Sequence, residues 1–268
     1  MPGMQRPLPL PRFLGVVHLL PLPGSPRFAG DLEGVLTAAC RDAEALLEGG
    51  VGGLIVENFG DAPFRPGVVD PETVAAMAVA MTRVRTVVGS DLPMGANVLR
   101  NDARAALGLC AAAGASFLRI NVHTGAAVCD QGPIVGRADE TLRTRRELFG
   151  TGELPPILAD VHVKHASPMG RESIGVAAAD TLLRGLADGL VVSGTGTGAG
   201  VDLADLREVR GALPDAPIWI GSGWTPERSS ELLALADGAI VGTWLKADGR
   251  LAAPVDAERV RRAADCFA

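Results

Sequence analysis

Eight short runs of β-branched and aliphatic residues recur along the chain, each followed by a longer amphipathic stretch, and this alternation leaves few folds open. The runs are FLGVVH (13–18), GLIVEN (53–58), MGANVL (94–99), FLRINV (117–122), ILADVHV (157–163), GLVVSG (189–194), IWIGSG (218–223) and GAIVGT (238–243). The stretches between and after them predict helices over 31–48, 71–88, 101–113, 139–149, 173–186, 202–210, 225–235 and 256–266. Strands separated by helices pair in parallel through right-handed crossovers. Several of the runs are apolar almost throughout, as strands covered on both faces are. The pattern reads as α/β, a single (β/α)8 TIM barrel, with a doubly wound open sheet as the alternative. Strand count and the closing signals near the C-terminus favour the barrel. At 268 residues the chain has the length of one such domain, about 250 residues. The expectation is one barrel domain over 1–268, with 1–12 an irregular N-terminal segment and 123–138 an extended loop able to serve as a lid.

Composition narrows the function classes. With 34 Gly, 4% aromatic residues and no Tyr, the chain suits tight packing of helices on a sheet by small aliphatic side chains. A formal charge of −6 gives no basic field for a polyanion, so no nucleic-acid partner is expected. A phosphorylated ligand would have to be held by local groups. The four cysteines, 40, 110, 129 and 266, are scattered without metal spacing and read as reduced thiols. No run reaches the roughly 20 apolar residues of a membrane helix, and the Pro-rich start lacks the apolar core of a signal peptide. A cytoplasmic protein without membrane insertion is expected.

The last third carries the most concentrated chemical signal. Its strands run into SGTGTGAG (193–200), GSG (221–223) and GTW (242–244). In a barrel these are neighbouring loops on the catalytic face, and the loops after the seventh and eighth strands are its usual phosphate site. Glycine lets the backbone approach phosphate oxygens, while amide and hydroxyl groups donate to them. Ser193, Gly194, Thr195, Gly221, Ser222, Gly223, Gly242 and Thr243 are therefore candidate phosphate-binding residues. The same glycines are also what sharp turns require. The run has no GK[ST] ending, so a nucleotide P-loop is not indicated.

A second signal lies in polar residues at strand ends. His18, Glu57, Asp160, His162 and Lys164 are candidate catalytic groups, and Asn97, Asn121, His123 and His165 candidate substrate ligands. Period-two alternation places Asp160, His162 and Lys164 on one face. Asp160 and Lys164 read either as a structural ion pair or as a base and a proton donor, with Lys164 also able to form a Schiff base. Glu57 reads as a loop cap or as a general acid or base. Asn97 and Asn121 suit hydroxyl or carbonyl recognition, since amides do not titrate. No cofactor is identified, and a divalent metal has no supporting HxH or HExxH motif.

VVHLLPLPGSPR, VENFGDAPF, ANVLRNDA, DQGPIVGRA, LRTRRELFG and ILADVHVKHASP, followed by GLVVSGTGTG, WIGSG and ADGAIVGTWLK, closely resemble the BtpA family. The resemblance runs from Phe13 to about Val260. It implies a TIM barrel of the phosphate-binding type, and the family spans a cyanobacterial branch tied to photosystem I biogenesis and an SgcQ-like enterobacterial branch. The motifs fall on Glu57, Asn58, Asp61, Asn97, Arg100, Asn101, Asp102, Asn121, Asp130, Asp160, Lys164 and His165, and the phosphate-type loops on Ser193, Gly194, Gly221, Ser222, Gly223 and Gly242.

Two functions follow as expectations. One is an enzyme, a lyase, isomerase or glycosidase, whose partner is a phosphorylated small molecule such as a sugar phosphate or nucleoside phosphate. The other is a non-catalytic assembly or stability factor for a membrane complex such as photosystem I. A homo-oligomer is compatible with either.

Overall fold

The computed structural model describes residues 8–170, 172–194, 196 and 200–268. The eight parallel strands of the barrel are β1 (Phe13–His18), β2 (Gly53–Glu57), β3 (Met94–Asn97), β4 (Phe117–Ile120), β7 (Ile157–Val161), β9 (Gly189–Val192), β10 (Ile218–Ile220) and β11 (Gly238–Val241). They close in the order β1-β11-β10-β9-β7-β4-β3-β2. The seam joins the first strand to the last, with Phe13 opposite Ala239 and Gly15 opposite Val241.

Helices follow the strands as α1 (Leu32–Glu48), α2 (Pro71–Val88), α3 (Ala103–Ala113), α4 (Ala138–Phe149), α5 (Ile174–Ala179), α6 (Leu203–Ala212), α7 (Ser229–Leu233) and α8 (Ala257–Ala264). Asp31, Asp102, Asp202 and Asp256 cap α1, α3, α6 and α8 by accepting first-turn amide hydrogens. The expected helix over 173–186 is shorter: α5 ends at Ala179 and continues as a π-helical turn over Asp180–Arg184. The expected helix over 225–235 divides into a 3-10 turn at Pro226–Arg228 and α7.

Side-chain alternation sorts the core into two layers. Leu14, Val16, Ile55, Phe117, Leu158, Val191, Trp219 and Ile240 fill the barrel interior, with Leu8 and Leu10 packed against them. Gly95 makes room for the Phe117 ring, because a Cβ there would lie 2.4 Å from it. The intervening residues, such as Phe13, Val17, Leu54, Val56, Leu118 and Ala159, pack outward with the helices.

The segment expected to be a loop over 123–138 is instead part of a small antiparallel sheet. Strands β5 (Ala126–Cys129) and β6 (Gly132–Val135) form a hairpin, and β8 (Ala166–Pro168), from the loop after β7, pairs with the other edge of β5. Among the described residues no helix is long and apolar enough to cross a membrane.

Candidate active site

The polar residues at the barrel mouth follow from the same alternation. Two positions beyond Val16, Ile55, Gly95, Phe117, Leu158, Val191, Trp219 and Ile240 stand His18, Glu57, Asn97, Arg119, Asp160, Ser193, Gly221 and Gly242. An apolar plug thus gives way, one inward-facing residue later, to a ring of polar groups and glycines. Register supports the ring: His18 lies opposite Glu57, and Glu57 opposite Asn97.

Within it, Asn97 Nδ2 donates to Glu57 Oε2 over 2.5 Å. Arg119 donates through Nε and Nη2 to Asp160 Oδ1, at 3.2 and 2.9 Å, and Asn121 Nδ2 donates to Asp160 Oδ2 at 2.6 Å. Both carboxylate oxygens of Asp160 are therefore engaged, and its side chain has no exposed surface. This places Asp160 to hold Arg119 and Asn121 rather than to exchange protons with a substrate. Arg119 is not singled out by the sequence, although it stands on the inward face of β4, two residues before Asn121.

Lys164 comes from the turn after β7. Strand geometry ends at Val161, and His162 adopts a φ of 49°. The period-two relation among Asp160, His162 and Lys164 therefore breaks after Asp160. Lys164 nevertheless enters the mouth, because Arg100 donates to its backbone carbonyl and, at 3.5 Å, to that of His165. Arg100 also pairs with Asp130 at 3.6 Å, tying this turn to the β5–β6 hairpin. Burial pushes the Lys164 ammonium below its ordinary pKa and Arg119 adds to the shift, while Glu57 and Asp160 oppose it. Among the described residues no carboxylate forms an ion pair with Lys164.

Two adjoining cavities share Glu57, Arg119 and Lys164. One, of about 230 Å3, is otherwise walled by His18, Gly221–Thr225 and Val241–Trp244. The other, of about 500 Å3, extends past Phe59, Phe64, Leu99 and Arg100 to Asp130 and His165. Gly221, Ser222, Gly223, Gly242 and Thr243 thus face the same space as Lys164. Ser193 and Gly194 line a neighbouring cavity, and the Gly194 amide donates to Ser222 Oγ at 2.9 Å. Thr195 lies outside the described residues. Packing accounts for part of the glycine pattern, since a Cβ on Gly221 would meet Ser193 Oγ at 2.3 Å and one on Gly242 would meet the His18 ring at 2.7 Å. Gly223 has a φ of 66°, which favours glycine for conformational reasons.

The histidines separate. His18 stays at the mouth, edge-on to Phe59. Burial, with Lys246 and Lys164 nearby, lowers its pKa to about 3. His165 lines the larger mouth cavity. His123 and His162 leave the mouth: His123 bonds to the Gly185 carbonyl at 2.8 Å, and His162 faces Asp205 and Glu208 beyond β7. Among the described residues no group of three or more His, Cys, Asp and Glu is arranged to hold a metal.

The sequence profile of the BtpA family matches residues 11–267. The chain belongs to the BtpA family. It is 47% identical over 247 residues to the photosystem I biogenesis protein BtpA of Synechocystis sp., covering 92% of this chain and 84% of that one. It is 33% identical over 249 residues to the putative sgc region protein SgcQ of Escherichia coli, covering 92% and 90%. Phosphoribosyl anthranilate isomerase from Thermus thermophilus shares the barrel at a TM-score of 0.54 and 14% identity, covering 95% of this chain and 98% of that one.

The motif residues of this BtpA-family chain that miss the cavity brace its loops. The Asn58 amide bonds both the N–H and the carbonyl of Leu99, at 2.7 and 3.2 Å. The Asn101 amide does the same for Val122, at 2.7 and 2.9 Å. Asp61 accepts from the Leu22 amide at 2.8 Å and from Asn58 at 3.0 Å. Asp102 caps α3 while accepting from Val69 at 2.9 Å. The loops after β1, β2, β3 and β4 are thereby linked in series.

Proposed function

We propose that this chain is an enzyme that acts on a phosphorylated small molecule, a sugar phosphate or nucleoside phosphate, by carbonyl chemistry at Lys164, as a lyase or isomerase. One observation carries the reading. Lys164, Glu57 and Arg119 line a cavity whose opposite wall is built from the Gly/Ser/Thr turns at 221–225 and 241–244. A phosphate seated on those turns would leave the rest of a small substrate beside the amine, so that remote binding energy acts at the reacting carbon.

The roles follow from the hydrogen bonds. Glu57, oriented by Asn97, moves the proton. Arg119, held by Asp160, supplies fixed positive charge beside a developing oxyanion and favours the neutral amine of Lys164. The amine then either donates a hydrogen bond to the substrate oxygen or adds to the carbonyl carbon with loss of water to give an imine. A glycosidase reaction has less support, because Asp160 is already bonded at both oxygens and, among the described residues of the mouth ring, Glu57 has no second free carboxylate beside it.

The name of the Synechocystis relative supports a second reading, a non-catalytic assembly factor, in which the enclosed charges of the mouth take no part. A thermal-shift screen with sugar phosphates, nucleotides and their unphosphorylated parents separates the two. Stabilisation by phosphorylated compounds alone supports the enzyme. No response to any of them favours the assembly factor.

A further inference from the structure

Around the barrel, α1 packs on α2, α2 on α3, α3 on α4, and α5 on α6, but a cavity of about 800 Å3 lies between α4 and α5. Its volume is in the range of small-molecule pockets, about 300–1,000 Å3. Ala126, Ala127 and Pro168 of the three-stranded sheet roof it, and Leu142 of α4 faces it with Ala177 of α5.

The floor of this space holds polar atoms that no described residue answers. His123 is 1% exposed, and its Nε2 is bonded to the Gly185 carbonyl at 2.8 Å. A carbonyl only accepts, so Nε2 carries the hydrogen and Nδ1 the lone pair. Among the described residues that Nδ1 is buried without a hydrogen-bond partner, as is Nε2 of His162, which lines the same cavity. Burial lowers the His123 pKa, which keeps the ring in this neutral form. Buried polar atoms in folded proteins are nearly always paired, and a bare acceptor forfeits the hydrogen bonds it made to water.

The backbone is shaped to the same space. The π-helical turn at Asp180–Arg184 contributes Asp180, Thr181 and Arg184 to the cavity wall and leads directly into Gly185, the partner of His123. Such turns are rare and concentrate at functional sites. Charge at the rim is mixed: Arg143 and Arg184 pair with Asp139 and Asp180, while Arg146 and Glu172 form no ion pair among the described residues.

We propose that the space between α4 and α5, which meets the barrel mouth at Asn121 and Asp160, is a second small-molecule site for a compact, mostly apolar ligand that offers an N–H or O–H donor to His123 Nδ1. The apolar walls take the body of the ligand and the bare imidazole nitrogen takes its donor. This inference stands independently of the reaction assigned to the mouth.

Imidazole NMR on the full chain tests it with indole as the probe and 1-methylindole as the donor-less control. The chain has four histidines, 18, 123, 162 and 165, so the signals are few. Indole is expected to shift the His123 and His162 resonances saturably and to bind about tenfold more tightly than 1-methylindole. Filling the space with Ala177→Phe, or with Ala138→Leu from the opposite wall should the first variant fail to fold, is expected to abolish the shift. The proposal is overturned if neither resonance moves, if only His18 and His165 move, if the two probes bind equally, or if the shift survives in a folded cavity-filled variant.

Discussion

Arg119 and Asp160 form a buried ion pair at the edge of the mouth cavities, with Nη2 2.9 Å from Oδ1 and side chains 3% and 0% exposed. Removing one member strands the other. Asp160→Ala is expected to destabilise the fold by about 3–5 kcal/mol, whereas the double variant Arg119→Met, Asp160→Leu should recover much of that loss. Urea unfolding of the three proteins decides this. Equal midpoints for wild type and Asp160→Ala would show that the pair does not bind the two strands together.

Lys164 and Lys246 are the only two lysines in the chain, and Lys246 is 2% exposed and bonded to Asp42 at 2.5 Å. A phosphorylated aldehyde such as pyridoxal 5′-phosphate, followed by borohydride reduction, should therefore attach to one side-chain amine, Lys164, and inorganic phosphate should slow the labelling. Peptide mass mapping reads the site. Lys164→Met should abolish turnover and labelling while leaving the unfolding free energy within about 1 kcal/mol of wild type. Turnover unchanged in that variant would remove Lys164 from the mechanism.

The depressed pKa of Lys164 also has a sign in stability. Its unfolded form binds a proton up to about 10.5, whereas the folded form releases it at lower pH, so stability should rise as pH climbs from the folded pKa toward 10.5. Lys164→Met should flatten that rise in urea midpoints taken across alkaline pH. His18 gives the mirror test on the acid side. Its pKa falls from 6.5 to about 3, so stability should decline as pH drops through that interval, by roughly 4–5 kcal/mol, and the decline should shrink in His18→Asn.

At Gly223, whose φ is 66°, any side chain brings similar backbone strain, so paired substitutions isolate charge. Gly223→Asp is expected to weaken binding of a phosphorylated ligand about tenfold more than Gly223→Asn does, since only the former sets like charge at the turn. Calorimetry with both variants measures the difference. Equal affinities would move the phosphate away from residues 221–223.

Much of the mouth was legible because one rule, period two along a buried strand, governs both the apolar plug and the polar ring above it. His18, Glu57, Asn97 and Asp160 stand out in the sequence as polar residues at strand ends, and the rule turns each of them inward. Arg119 was passed over although the same rule places it, since it sits within an otherwise apolar run. His162 shows the opposite failure: alternation was carried past Val161, where the backbone leaves the strand. The three-stranded sheet was not legible. AAVC and GPIV are short, hold a proline and lack the branched runs of the barrel strands, and β5 finds its second partner in Ala166–Pro168, remote in sequence. Nor was the bracing by Asn58 and Asn101, because side-chain bonds to a neighbouring loop's backbone leave no periodic trace.

The seam between β1 and β11 carries a consequence for biosynthesis. One edge of β1 is satisfied early by β2, but the other has no partner until Gly238–Val241 emerges. At about 5–20 residues per second, that edge stays open for ten seconds or more of translation. An unpaired apolar strand edge is a template for aggregation. For that interval the nascent chain is a curved sheet with a missing stave, and the cell must shelter it until the last strand arrives.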